Sequence, residues 1–255
     1  MNKYNHDKIL NHWNSDQTES MYDKFLLDDE IQLIANFIPE GSKILDAGCG
    51  EGEGTVIYSE INKATVQGVD FSDTRLLKAS ERLKNRANVE FKKIDFTQDY
   101  ELDNDFDIVI SQRFIINITD WALQQKIIIN LVNHLKEGGR LLLMEGYLQG
   151  ALALNDFRKE MELSDIPIPW HNLFLDEELL KKLMTDNGLE LEHEDGLGSY
   201  YLLTRGIRPT LDSNINWDSK FNKMASSRKI KEMLGLGWQF SRVKLWVFKK
   251  SSANI

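Results

Sequence analysis

Ile44-Leu45-Asp46-Ala47-Gly48-Cys49-Gly50-Glu51-Gly52-Glu53-Gly54 is the stretch on which the fold turns. A short apolar run feeds a loop with four glycines in seven residues. Alternate glycines behind a strand permit a tight turn and a close approach of backbone to ligand. A P-loop would need a Gly-Lys pair, which this chain lacks. A dinucleotide fingerprint, Gly-x-Gly-x-x-Gly, fails from either starting glycine, because its third position falls on Glu53 or Thr55. Charge narrows the ligand further. A pyrophosphate seeks the positive end of a helix and no acid beside it, yet the loop carries Asp46, Glu51 and Glu53. Those carboxylates suit a ligand with an ammonium and a sulfonium, the charges that S-adenosylmethionine presents.

On either side of the loop, strand and helix patterns alternate. Lys43–Ala47, Thr65–Asp70, Val89–Ile94, Phe106–Ser111 and Arg140–Met144 read as strands. Val56–Ile61, Thr74–Lys84 and Trp121–Leu135 read as helices between them. This rhythm predicts βαβ units and a parallel sheet covered on both faces. Upstream, Asp28–Asp29 look like helix caps for the apolar series Ile31, Ile34, Ala35 and Ile38, which Pro39–Glu40–Gly41 stops. Downstream, Asp176–Asn187 reads as a helix, and Leu189–Glu194, Tyr200–Thr204 and Ser241–Lys249 read as strands. We expect one domain over residues 1–255, with a helical N-terminal segment (1–39) that can lie over the cofactor as a lid. Two insertions, 146–180 and 206–237, are expected over the acceptor site, the second with a basic helix near Ser219–Leu234.

Composition bounds the setting. The chain has 255 residues, 42% hydrophobic and 28% charged, with a net charge of −9. That is the profile of a globular protein. A lone cysteine, Cys49, excludes a disulfide framework and a multi-cysteine zinc site, and no metal is expected. The longest apolar runs, such as Leu141–Met144, are too short to cross a bilayer, and Met1–Asp16 lacks the apolar core of a signal peptide. The expectation is a cytoplasmic protein that uses neither membrane nor nucleic acid, since phosphate binding needs clustered Lys and Arg. Oligomeric state is left open.

Two more acids complete the ligand site. Val69-Asp70-Phe71-Ser72 puts a carboxylate at the end of the second strand, 20 residues beyond Gly50. An acid there accepts from ribose hydroxyls in nucleoside-binding sheets. Ile94-Asp95-Phe96 ends the third strand with an acid for the adenine amino group and an aromatic for the ring.

With these residues the chain resembles the class I S-adenosylmethionine-dependent methyltransferase family. The resemblance rests on Leu45–Gly52, Val69–Ser72, Asp95–Phe96, Phe106-Asp107-Ile108-Val109 leading to Ser111, and the turn Leu135-Lys136-Glu137-Gly138-Gly139. It covers roughly residues 30–146. It implies a Rossmann-like, seven-stranded, mostly parallel α/β sheet with helices on both faces and the last strand antiparallel. Asp46, Gly48, Cys49, Gly50 and Gly52 would line the methionine end of S-adenosylmethionine, Asp70 and Phe71 the ribose, and Asp95 and Phe96 the adenine. Ser111 and Gln112 would face the methionine portion. A narrower likeness, carried by Gln112–Ile118, Pro169–Asn172 and Tyr200–Tyr201, points to methyltransferases of surface-polysaccharide pathways.

Methyl transfer from a sulfonium is an in-line displacement. His171 and Glu145 are the candidate bases, with His12 behind them. Between Arg205 and Lys231, seven cations stand against two acids. Arg205 and Arg208, together with Arg113, could fork a phosphate or carboxylate. The expected activity is O-methylation of a small, polar, anionic acceptor, releasing S-adenosylhomocysteine. Methylation of a small amine and a non-catalytic cofactor-binding protein are the alternatives. An RNA methyltransferase would need a basic, aromatic face and an Asn/Asp-Pro-Pro-aromatic motif after the fourth strand, where Ser111-Gln112-Arg113-Phe114 stands.

Overall fold

The computed structural model describes residues 4–15, 18, 21–61, 63–212, 214 and 216–251. Parts of the N-terminal stretch Met1–Asp16 and of insertion 206–237 therefore lie outside the described residues. Two helices lead the chain, α1 (His6–Trp13) and α2 (Lys24–Ala35). The alternating part follows as β1 (Lys43–Ala47), α3 (Glu53–Glu60), β2 (Thr65–Asp70), α4 (Asp73–Leu83), β3 (Val89–Lys93), β4 (Phe106–Gln112), α5 (Trp121–Asn133) and β5 (Leu135–Gly146). Next come α6 (Leu148–Glu160), α7 (Glu177–Asp186) and β6 (Leu189–Gly196). A helical run then continues through α8 (Gly198–Tyr201), a π-turn at Leu202–Ile207 and α9 (Arg208–Leu211). The chain closes with α10 (Lys220–Ala225), α11 (Arg228–Leu234) and β7 (Val243–Lys250).

All seven strands join one sheet in the order β3-β2-β1-β4-β5-β7-β6. The first five pair in parallel, and β7 inserts antiparallel between β5 and β6. Strands covered on both faces carry continuous apolar runs. Here Ile108 and Val109, like Leu141 and Leu142, send successive side chains into two cores on opposite faces. The strand order reverses between β1 and β4, the place where open α/β sheets bind ligands.

Three readings of the sequence are corrected. Asp28 and Asp29 lie inside α2, whose cap is Asp23, accepting from Leu26 N at 3.2 Å. Tyr200–Thr204 is helical and π-turned, not a strand. The basic helix is two short ones, because Ser227 caps a fresh start at α11.

Candidate functional site

A cleft of about 1080 Å³, including its mouth, opens over the carboxyl ends of β1, β2, β3 and β4. Its floor is the glycine loop. Gly48, Gly50 and Gly52 all take left-handed backbone, with φ of +73°, +55° and +76°. A Cβ on Gly48 would lie 2.4 Å from Phe114 Cβ, so backbone must pass there bare. Gly48, Cys49 and Gly50 face the cleft; Gly52 does not, and caps α3 instead.

Three carboxylates sit at three successive strand tips and line this one cleft: Asp46, Asp70 and Asp95. Asp46 is buried, accepts from Thr55 Oγ1 at 2.6 Å and has no ion-pair partner among the described residues. Burial pushes its carboxyl up to about 6. Asp70 accepts from Gly50 N at 3.0 Å and Ser72 N at 2.9 Å, tying the β2 tip to the glycine loop. Burial raises it too. Ser72, not Asp70, caps α4. Asp95 accepts from Thr97 N and Oγ1 at 2.9 and 2.7 Å and is bonded to His6 Nε2 at 2.6 Å. Phe71 and Phe96 wall the same end, with Phe96 packed on Phe114 at 5.4 Å. Cys49 is buried, which holds its thiol well above the usual range.

Other candidates are placed differently from the reading of the sequence. Glu51 lies off the cleft and pairs with Arg75 and Lys78, so it adds no free negative charge there. Glu53 does reach the cleft, between Lys24 and Arg82 at 3.8 and 3.9 Å. Ser111 and Gln112 point to opposite sides of β4, as neighbours on a strand must. Gln112 lines the cleft and donates to Glu30 at 3.1 Å, whereas Ser111 turns inward and donates to Glu145 at 2.6 Å.

Glu145 is fully buried and away from the cleft lining. Its oxygens accept from Ser111 Oγ and from the backbone N–H groups of Phe114, Ile115 and Ile116. Burial raises its carboxyl to about 7, and every one of these bonds organises the β4 tip. His171 also stands back from the cleft. It stacks on His12 at 4.5 Å and meets Trp13 and Trp170 edge-on. Burial, then the neighbouring His12, lowers it to about 4.

Arg113 lines the cleft at φ +53° and forks onto the buried Glu30, with Nε–Oε2 at 2.9 Å and Nη2–Oε1 at 2.5 Å. Burial alone would lower its pKa, but the Glu30 carboxylate outweighs that and raises it. Arg205 is bound to Asp23 at 2.6 Å, and Arg208 donates to Asn214 O, Asn216 O and Asn222 Oδ1. The expected fork of Arg113, Arg205 and Arg208 on one anion is therefore not assembled.

From α1 and its flanks, in the segment read as a lid, Tyr4, Ile9 and Trp13 close one wall. Other residues of the site went unread. Arg75, under the Trp13 ring at 4.7 Å, also lines the cleft. Its place one turn after the Ser72 cap was the available signal. Glu30 had none, and Asn117 had only its place in the Gln112–Ile118 stretch.

A family model described as a methyltransferase domain matches residues 38–191. Phosphoethanolamine N-methyltransferase 1 of Triticum aestivum is 34% identical over 106 residues, 41% of this chain and 21% of that protein. The chain thus spans about a fifth of the length of such relatives. Phosphatidylethanolamine N-methyltransferase of Cereibacter sphaeroides is 22% identical over 176 residues, 68% of this chain and 82% of that protein. Among solved structures, magnesium protoporphyrin IX methyltransferase of Synechocystis PCC 6803 with bound SAH shares the fold. It has a TM-score of 0.57 and 17% identity, covering 96% of this chain and 94% of that one.

Proposed function

This chain belongs to the methyltransferase domain family, and we propose that it uses S-adenosylmethionine to methylate the nitrogen of a small polar acceptor carrying an anionic group. The observation that carries the cofactor reading is the set Asp46, Asp70 and Asp95 on successive strand tips of one cleft. The cofactor, when bound, supplies a methyl group activated by a positive sulfur. Asp46, fixed by Thr55, offers the unpaired negative charge for its cationic end. Gly48 and Gly50 let that end approach the backbone, with Cys49 and Gln112 beside it. Asp70 and Phe71 serve the ribose, and Asp95 and Phe96 the adenine.

Nitrogen is preferred to oxygen as the acceptor. A hydroxyl acceptor must lose its proton to a base as the bond forms. Glu145 has its lone pairs committed to four donors, and His171 is too weak a base at about 4. An amine, once neutral, brings its own lone pair. The names of the N-methyltransferase relatives agree with this choice. For the anionic part we infer Arg242, outside the cleft lining, in place of the expected arginines. Arg242 is buried beside Phe174 and, among the described residues, donates only to the carbonyls of Ile166 and Pro167, at 2.8 and 3.0 Å. It has no carboxylate partner among the described residues. It precedes β7, whose Val243 pairs with Gly146 at the β5 tip. A part in surface-polysaccharide synthesis has no structural feature behind it and is not proposed.

The test is S-adenosylhomocysteine release from S-adenosylmethionine with matched amine and hydroxyl acceptors, such as phosphoethanolamine and its hydroxyl isostere. Release with the amine alone is expected. Release with the hydroxyl compound alone would overturn the choice of nitrogen.

A further inference from the structure

The second insertion ends in a face left open to solvent among the described residues. Both α10 and α11 sit on the helical run of α8, π-turn and α9. Asn222 Oδ1 accepts from Arg208 Nη1 at 2.7 Å, and Lys231 O accepts from Ser199 Oγ at 3.4 Å. α10 buries only Asn222 and Ala225, the latter in the core that holds Tyr200 and Tyr201, and α11 buries no residue at all. The faces turned away from that run repeat one pattern. Lys220, Lys223 and Met224 are exposed on α10, and Lys229 and Met233, one turn apart, are exposed on α11. Met224, Met233 and Leu234 are 47%, 72% and 43% exposed. Two capped helices of six and seven residues thus present lysines and long apolar side chains together to solvent.

The charge of this face is one-sided. Across residues 219–234, five cations stand against one acid, in a chain of net charge −9. Glu232 is taken by Arg228 at 2.6 Å, and Lys231 by Asp29 of α2 at 2.7 Å. Lys220, Lys223 and Lys229 have no ion-pair partner among the described residues. The acidity of the rest of the chain does not cancel them, because exposed charges are screened beyond about 10 Å at about 0.1 M salt. We propose that α10 and α11 dock on an anionic bilayer surface. The lysines reach lipid phosphates, while Met224, Met233 and Leu234 enter the boundary between headgroups and acyl chains. The contact is peripheral, since no helix among the described residues is long and apolar enough to cross a bilayer. Other occupants fit less well. A second copy would bring two like-charged faces together. A nucleic acid would use the lysines and leave the methionines idle, and the one aromatic on either helix, Phe221, is half-buried rather than free to stack on a base. The Lys231–Asp29 pair ties the docking face to α2, the helix whose Glu30 holds Arg113 at the cleft.

Vesicle sedimentation of the full chain tests this, with phosphatidylcholine alone and with an equal mixture of phosphatidylcholine and phosphatidylglycerol. The protein should pellet with the mixed vesicles, stay in solution with phosphatidylcholine alone, and be released by about 1 M salt, where screening shortens to about 3 Å. Each lysine held near such a surface multiplies partitioning about five-fold, so joint Lys220→Gln, Lys223→Gln and Lys229→Gln should lower it about a hundred-fold. Met224→Ser with Met233→Ser should lower it about ten-fold and leave the salt dependence in place. Both variants should keep the wild-type melting temperature, since none of these side chains is buried or ion-paired among the described residues. Wild-type protein that ignores the mixed vesicles, or a triple lysine variant that pellets as wild type does, refutes the proposal. A dimer abolished by the methionine variant would give the face to a second copy, and tighter binding to a duplex oligonucleotide than to the mixed vesicles would give it to nucleic acid; either result overturns the proposal. Vesicle binding without S-adenosylhomocysteine binding would sink the cofactor reading and leave this one standing.

Discussion

Glu30→Gln is the perturbation whose cost can be worked most fully from the structure. Glu30 is fully buried on α2 and receives the Arg113 fork and Gln112 Nε2. Glutamine keeps the volume and one acceptor, but it turns a donor toward the guanidinium and removes its countercharge. Breaking a buried pair from one side costs about 3–5 kcal/mol. The Arg113 side chain is 26% exposed, so solvent offsets part of this and the lower end, about 3 kcal/mol, applies. At about 2–4 °C per kcal/mol for a chain of this size, the melting temperature should fall by about 6–12 °C. Urea unfolding of wild type, E30Q, R113M and the double variant completes a cycle, whose coupling should be about 2 kcal/mol or more. E30Q should also weaken cofactor binding, since it loosens Gln112 and Arg113 together at the cleft. An E30Q protein melting within about 2 °C of wild type, or strictly additive variants, would refute the reasoning. Arg113 would then be free to bind an anion, as the sequence had suggested.

Other expectations follow from the same geometry. Gly48→Ala puts a methyl group against Phe114 and a side chain at φ +73°, so it should lose more than about 2 kcal/mol in urea unfolding and abolish cofactor binding; near-normal stability would contradict the placement of Phe114. Asp46→Asn should trade stability against function. The Asp46 pKa is raised to about 6 by burial, so its contribution is fully present below about 3.9 and is lost as pH rises through 6, by about 3 kcal/mol. The ligand-free D46N protein should therefore melt above wild type at pH 8, with the gap closing toward pH 4, while calorimetry finds its cofactor affinity reduced. His171→Ala should leave S-adenosylhomocysteine affinity and turnover close to wild type, because the ring stands back from the cleft and is held neutral; a loss of turnover in a folded variant would return His171 to the mechanism.

Local signals carried the sheet well. Lys43–Ala47 and Thr65–Asp70 come out with the same bounds in sequence and structure, because apolar runs between turn residues leave little choice. The glycine loop was legible for the same reason: backbone needs are written in the residues that meet them. Tyr200–Thr204 misled because aromatic and β-branched residues suit a strand. In the structure β7 takes the place beside β5 and β6, and Tyr200 turns its buried hydroxyl onto Asp23 from a helix. The site residues that went unread depend on contacts across long stretches of chain. Glu30 meets Arg113 across 83 residues, and Tyr200 meets Asp23 across 177. Acid counting on the loop overstated its charge, since Glu51 is spent on Arg75 and Lys78. The sign argument survives in Asp46, which no cation among the described residues neutralises.

Titration of the protein with S-adenosylhomocysteine, S-adenosylmethionine, ATP and NAD by calorimetry at pH 8 addresses the central claim most directly. The account predicts saturable one-to-one binding of both S-adenosyl ligands, weakened in D46N, and no heat from the two phosphate ligands. Tight binding of ATP or NAD with silence from the other two would contradict it.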